Sequence, residues 1–386
     1  MAVLYFNEAA TGSADGSSEA NGFTDLQTAM NAVAAGDTLY LKNGSSRYGA
    51  ATTTITFTVD AGSAANNTHF EGYGSTPGDG VHFQTATRFN LTGDHSNWFY
   101  LDIDVSSGGA GISYAMNTNT VNNIYYRCKM KSAGVSVGTS QAYAVFKPVN
   151  SLVYECSFIG KIGNASSYVY YGNRCDTFNC YIESRSDGEA SVGGMLVNAV
   201  GGHRAINIQN CVIVEKRSTP GSSIGIMCSG TDNGQHYAIG RNTIVGTGSD
   251  GIQIDGPDTN SPYACTVNQN IIYDCGGYGV RNTQDHGTYT HSLACFNNAF
   301  GAVTSGQTLN MEINEGAVTL SGDPFVDHTD FVLNTTAGAG ALCRGVSGVP
   351  NPVDPASSTR TSFPSMGAIQ PELGGSGGGG TVGFGI

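Results

Sequence analysis

Seven five-residue segments in the middle of the chain repeat one local pattern, and this repeat restricts the fold more than any other feature of the sequence. They are Tyr126–Met130, Tyr154–Phe158, Phe178–Ile182, Gln209–Ile213, Arg241–Val245, Gln269–Tyr273 and Phe296–Phe300. Anchored on the second residue of each, they follow one another at spacings of 28, 24, 31, 32, 28 and 27 residues. Side chains of a strand alternate between faces, so the first and third residues after the anchor share one face. The third position reads Met130, Phe158, Ile182, Ile213, Val245, Tyr273 and Phe300. The first reads Cys128, Cys156, Cys180, Cys211, Thr243, Ile271 and Asn298. Both read as inward ladders. The anchor is Asn in the last five repeats, and Asn tolerates the left-handed backbone of a bend between strands.

Short strands, bends marked by Asn and inward apolar ladders predict an all-β parallel solenoid, in which each coil stacks on the next and buries a continuous core. An antiparallel sandwich is the alternative, but its strands would not keep one register over 170 residues. The composition agrees: 55 glycines and only 12% charged residues suit turn-rich β structure. Collagen is excluded because the glycines follow no triplet period. Seventeen Lys and Arg against 30 Asp and Glu give a net charge of −13. Such a field repels phosphate, so nucleic acid is not an expected partner.

Ten cysteines in a chain with no secretory leader read as buried thiols rather than a disulfide framework. Cys128, Cys156, Cys180 and Cys211 would stack as small apolar groups. A metal column would need His or a carboxylate in the same ladder, and there is no CxxC. No metal or cofactor is expected. The opening residues Met1 to Glu8 carry no basic segment, and no apolar run reaches the roughly 18 residues of a membrane span. The expectation is a protein made in the cytoplasm that leaves only inside an assembled particle.

Three segments are expected. Residues 1–45 form an N-terminal cap, residues 46–370 the solenoid, and residues 371–386 a glycine-rich tether. In the cap, Thr24-Asp25-Leu26-Gln27 reads as a capping box with Thr24 at the N-cap, opening a helix over about 24–35. Leu26, Ala29, Met30 and Val33 give it an apolar stripe. Thr38 to Leu41 reads as the first strand, and the helix would cover the open end of the solenoid.

These flanks carry a resemblance. Phe23-Thr24-Asp25-Leu26-Gln27-Thr28-Ala29 with Ala35-Gly36-Asp37-Thr38-Leu39 resembles the opening of right-handed parallel β-helix proteins of the pectate-lyase-like superfamily, of the kind found as bacteriophage virion proteins. Phe70-Glu71-Gly72-Tyr73-Gly74 is similar to an early coil. Gly322 to Val326, Asp330 to Leu333, Gly345 and Met366 to Ala368 resemble the closing stretch. The resemblance covers roughly residues 20–370 and implies the fold. It implies no single activity, since the superfold carries lyases, hydrolases, epimerases, adhesins and phage spikes.

No catalytic motif is legible. Asp102 and Asp104 share one face of a strand and read as partners of Arg127 and Lys129 in the next coil rather than as a calcium pair. A glycosidase needs two carboxylates flanking the scissile bond; the better candidates are Asp250, Asp255, Asp258, Asp274 and Asp285, with His286 and His291 nearby. Asp255 and Asp285 are 30 residues apart, close to one coil. Those side chains equally suit plain Gly-rich turns, and His203 and His236 read as exposed loop residues. Tyr168, Tyr170 and Tyr171 form the densest aromatic cluster, as core or as groove. Ser184–Gly194 and Arg217–Gln235 read as projecting loops that make contacts.

After Pro371 a flexible Gly-rich leash, Gly374 to Gly380, ends in Val382, Phe384 and Ile386. This alternating peptide is the expected assembly contact, docking on a neighbouring subunit. The expectation is a structural or adhesive bacteriophage component: a capsid decoration, head-fibre or tail-spike subunit, trimeric, with a host-surface polysaccharide as a further partner. A polysaccharide lyase or glycoside hydrolase is the alternative.

Overall fold

The computed structural model describes residues 1–42, 55–57, 67–73, 81–84, 89–91, 94–104, 116–118, 121–132, 143–160, 168–185, 193–198, 205–216, 222–230, 235–255, 263–283, 292–328, 331, 333–334 and 336–343. The chain winds through three parallel sheets. Sheet A has 12 strands, from Val3–Phe6 to Ile313–Glu315. Sheet C has 10, from Val81–Gln84 to Val318–Thr319, and sheet B has 10, from Ile55–Phe57 to Gly306–Leu309. One coil visits A, then C, then B, as in Ile124–Tyr126, Lys129–Ser132 and Tyr143–Lys147. The fold is the expected parallel β-solenoid. Val382, Phe384 and Ile386 lie outside the described residues, as does the leash before them.

The corner from sheet A to sheet C is a single residue in the left-handed region. Tyr100, Arg127, Glu155, Asn179, Asn210, Arg241, Gln269 and Asn297 occupy it in successive coils, with φ between 51° and 58°. Left-handed backbone costs an L residue about 1–2 kcal/mol, and the longer corner side chains offset this by pairing along the stack. Arg127 Nε donates to Glu155 Oε2 at 2.5 Å, and Arg241 Nε to Gln269 Oε1 at 3.1 Å.

This corner corrects the register read from the sequence. Met130, Phe158, Ile182 and Ile213 do stack inward, but the ladder continues through Ile244 and Ile272 to Phe300. Val245 and Tyr273 point outward. The first inward position is likewise Asn242, Asn270 and Asn298 after Cys211, not Thr243 and Ile271. The physical reason lies outside the coil. Leu320, Phe325, Phe331, Leu333 and Cys343 lie over the outer face of sheet C, where they pack on Val212, Val214, Val245, Ile271 and Ala299. Both faces of these strands are apolar, so alternation no longer tells inside from outside.

The interior asparagines Asn242, Asn270 and Asn298 are satisfied along the axis. Asn270 Nδ2 donates to Asn298 Oδ1 at 2.9 Å and to Ile239 O at 3.1 Å. Asn242 repeats this with Asn270 Oδ1 at 3.0 Å and Ile208 O at 3.0 Å. In the earlier coils the cysteines take the same place: Cys128 Sγ donates to Trp98 O at 3.3 Å, and Cys211 Sγ to Thr177 O at 3.7 Å. All ten cysteines are buried free thiols. Burial pushes Cys275, Cys295 and Cys343 up to about 12.

The ends differ. Helix Leu26–Ala32 lies against strands Val3–Phe6 and Ile55–Phe57, with Leu26, Ala29, Met30 and Val33 in the core. Its N-cap is Asp25, not Thr24: the carboxylate accepts from Thr28 N at 2.7 Å. Asp is the stronger cap, and its charge suits the helix N-terminus. Thr38–Lys42 is the second strand of sheet A, not the first, because Val3–Phe6 pairs with it at the edge. At the far end Thr308, Asn314 and Thr319 stand at inward positions, beyond Val280, Cys295 and Phe300. Asn314 Nδ2 donates to Thr308 Oγ1 at 3.2 Å and Gln307 Nε2 to Thr319 Oγ1 at 2.6 Å. A polar last coil thus closes the core, as terminal repeats of solenoids do.

Candidate functional site

The acids singled out in the sequence separate in space. Asp250 is 1% exposed; its Oδ1 accepts from Tyr278 N at 2.8 Å, and its Oδ2 faces Arg281 Nη1 at 3.4 Å. It fixes a corner and a cation. Asp255 ends a strand of sheet B and accepts from Thr283 Oγ1 at 2.8 Å. The register steps by 28 residues, carrying Asp255 onto Thr283 rather than Asp285. Asp274 is exposed on sheet C with φ of 58°. Asp258, Asp285, His286, His291 and His203 lie outside the described residues. His236 is exposed, as expected, but it stands on strand Gln235–Gly240 of sheet A rather than in a loop. Asp102 faces Lys129 and Asp104 faces Lys131, two places beyond the expected partners, because the coil step is 27 residues, not 25.

Two further expectations are refined. Tyr170 is core, with its hydroxyl 2.8 Å from Thr177 Oγ1, whereas Tyr168 and Tyr171 stand on the outer face of sheet B. The stretch Arg217–Gln235 is not one loop, since strand Ile226–Ser229 of sheet B lies within it.

The outer face of sheet B gathers the side chains best suited to a ligand. In successive coils one ladder position holds Lys147, Tyr171, Leu196, Met227, Gln253, Arg281 and Leu309. Lys147 Nζ sits 5.5 Å from the Tyr171 ring centre, and burial holds its pKa below the usual lysine value. Tyr168 Oη donates to Met227 Sδ at 3.0 Å, laying its ring along the face. Asn198 Nδ2 donates to Tyr171 Oη at 3.2 Å. Arg281, whose side chain is 41% exposed, is steadied from below by Asp250. Lys147 and Arg281 are five strands apart, about 24 Å at the usual strand spacing. No single sugar residue spans them; an extended polymer does.

The sequence pointed to Tyr168 and Tyr171 but not to Lys147 or Arg281. A lone Lys at a strand end has no local signal, and Arg281 becomes legible only once the register stacks it on Gln253. Among the described residues no group of three or more His, Cys, Asp or Glu is placed to hold a metal ion, and no helix is long and apolar enough to cross a membrane.

No family profile matches the chain, and no curated protein matches it. Among solved structures, pectate lyase Pel9A is similar over 96% of this chain and 97% of its own, with a TM-score of 0.56 and 15% identity. Two structures of the PL6 family alginate lyase AlyGC match at 12% identity, with TM-scores of 0.26 and 0.24, over 86% and 79% of this chain and 55% and 53% of theirs. The similarity to Pel9A is one of fold: the chain folds as a pectate-lyase-like parallel β-helix.

Proposed function

We propose that this chain is an adhesive component of a bacteriophage particle, a rigid solenoid that holds an anionic host-surface polysaccharide along the outer face of sheet B. The observation that carries the reading is the row from Lys147 and Tyr171 to Arg281, two cations about 24 Å apart with tyrosines between them on one flat face. That spacing grips a polymer and places no pair of groups on one glycosidic bond. Asp250 and Asp255 are engaged with Arg281, Tyr278 and Thr283, so their geometry supports positioning rather than proton transfer. Val382, Phe384 and Ile386, after a glycine-rich stretch, are the proposed contact with a neighbouring subunit, in a trimer, or with another particle protein.

Deleting residues 372–386 is expected to leave the melting behaviour unchanged but abolish incorporation into particles and, by native mass spectrometry, the trimer. Normal assembly of the truncated protein would overturn the assembly reading.

A second reading has a specific observation in its favour. The depressed pKa of Lys147 is the property of a general base, and pectate lyase Pel9A shares the fold. In a lyase, Lys147 would take the proton next to the sugar carboxylate as the glycosidic oxygen leaves. Polygalacturonate incubated with the protein would then yield unsaturated products, and Lys147→Ala would abolish them.

A further inference from the structure

The coil interior, the helix at one end and the cover on sheet C account for most apolar side chains among the described residues. One apolar surface is left over. On the outer face of sheet A, four adjacent strands, Ser96–Phe99, Ile124–Tyr126, Leu152–Tyr154 and Asp176–Phe178, carry Phe99, Ile124, Tyr126, Leu152, Tyr154 and Phe178 in two outward columns. None of them belongs to the buried core, and Leu152 is 37% exposed. Three rings of one column are in contact: Phe99 to Tyr126 at 5.7 Å and Tyr126 to Tyr154 at 5.6 Å. Beyond Asp176–Phe178 the same columns turn small and polar, with Asn207, Gln209, Ala238 and Gly240, and before Ser96–Phe99 they hold His69 and Glu71. The stripe therefore begins and ends.

We infer that this stripe is a second ligand site, for a linear uncharged polysaccharide lying across the strands. Three observations select that occupant. The stripe is two residues wide and three strand spacings, about 14 Å, long, far short of the roughly 800 Å² per partner that a stable protein interface buries. Each strand spacing is close to the length of one pyranose ring, so each coil offers one sugar an apolar contact. Asn97 and Asp176 end one of the two columns on either side of Ile124 and Leu152, placing polar groups at the ends of the bound stretch. Charge separates this face from sheet B. Among the described residues its basic side chains are engaged: Arg127 with Glu155 at 2.5 Å, over Tyr126 at 5.0 Å, and His69, against the Phe99 ring at 4.6 Å, with Glu71 at 3.0 Å. Burial and the Glu155 carboxylate push Tyr126 up to about 12, so its hydroxyl stays neutral. An anionic chain finds no free cation there.

The test uses the full chain and a panel of neutral hexasaccharides: β-1,4-glucan, α-1,4-glucan, β-1,3-glucan, β-1,4-xylan and chitin fragments, each titrated by calorimetry. The expected result is binding of at least one, weakened at least tenfold in Tyr154→Ala and in Leu152→Glu, and unchanged in Lys147→Ala. Both stripe variants change half-exposed side chains, and an unaltered melting curve confirms that they fold. Absence of binding to every member of the panel overturns the inference, as does binding indifferent to both stripe variants. Concentration-dependent dimerisation lost in Leu152→Glu also overturns it, since the occupant would then be a second copy. Loss of anionic-polymer binding in Lys147→Ala concerns sheet B alone, so the two sites fail separately.

Discussion

The two halves of the solenoid fill the same corner in different ways. From Cys128 to Cys211 the first inward position is a thiol, and the coils around it are packed with Trp98, Tyr125, Phe146, Phe158 and Tyr170. From Asn242 to Asn298 it is an asparagine, and its neighbours are Ile239, Ile244, Ile252, Ile254, Ile272 and Val280. Each side chain serves the carbonyl of the coil before, but the thiol is a weak donor, whereas Asn242 and Asn270 also each donate to the next Asn. A Cys coil is therefore held by packing. An Asn coil is held by a buried polar chain, every member of which depends on its neighbours. The cover on sheet C spans the junction of the halves, packing on Val212 and Val214 of the last Cys coil and on Val245, Ile271 and Ala299 of the Asn coils.

The largest effect is expected at the junction of the halves. Ile213 is 1% exposed, and Ile213→Asp puts an unpaired carboxylate into the ladder at a cost above about 4 kcal/mol. Chemical denaturation should find no stable fold; a fully folded variant would refute the register.

The next pair tests the halves against each other. Asn270→Leu removes the acceptor of Asn242 N and Nδ2 and the donor to Ile239 O, which should cost about 3 kcal/mol. Cys180→Ala removes one thiol donor, shared between Val153 O at 3.8 Å and Phe178 O at 3.2 Å, and a small volume, for about 1 kcal/mol. Equal losses in urea melts would erase the distinction between the halves.

The smallest effect is at Glu183, where the exposed cations Arg185 and Lys216 meet a side chain 2% exposed. Burial raises its pKa, but Arg185, Tyr181 and Lys216 outweigh it and hold the carboxyl below 4.5. A folded pKa below the unfolded one stabilises above about pH 4.5 and is lost as pH falls through the folded value. Glu183→Gln should cost under about 1 kcal/mol at neutral pH, and its melting temperature should converge with that of the parent on acidification. A constant gap would deny the ion pairs a role.

Fold class was legible because a solenoid writes its period into the sequence. The register of the later coils was not, for two reasons. Asparagine plays two parts: Asn179, Asn210 and Asn297 take the left-handed corner, whereas Asn242, Asn270 and Asn298 stand inside. Aligning on Asn merges them, although the pair Asn297-Asn298 holds both. The second reason is the cover on sheet C, which made Val245 and Tyr273 look inward. The sheet B row was half legible: the tyrosines stood out by density, while Lys147 and Arg281 acquire meaning only from stacking five coils.

The most direct test of the account is affinity electrophoresis of the protein in gels containing polygalacturonate, alginate or hyaluronan, run beside Lys147→Ala and Arg281→Ala. Chromatography of the recovered polymers reports their length. The account predicts retardation by at least one polymer, relieved in both variants, with no shortening of the chains. Migration indifferent to every polymer, or polymers recovered cleaved, would contradict it.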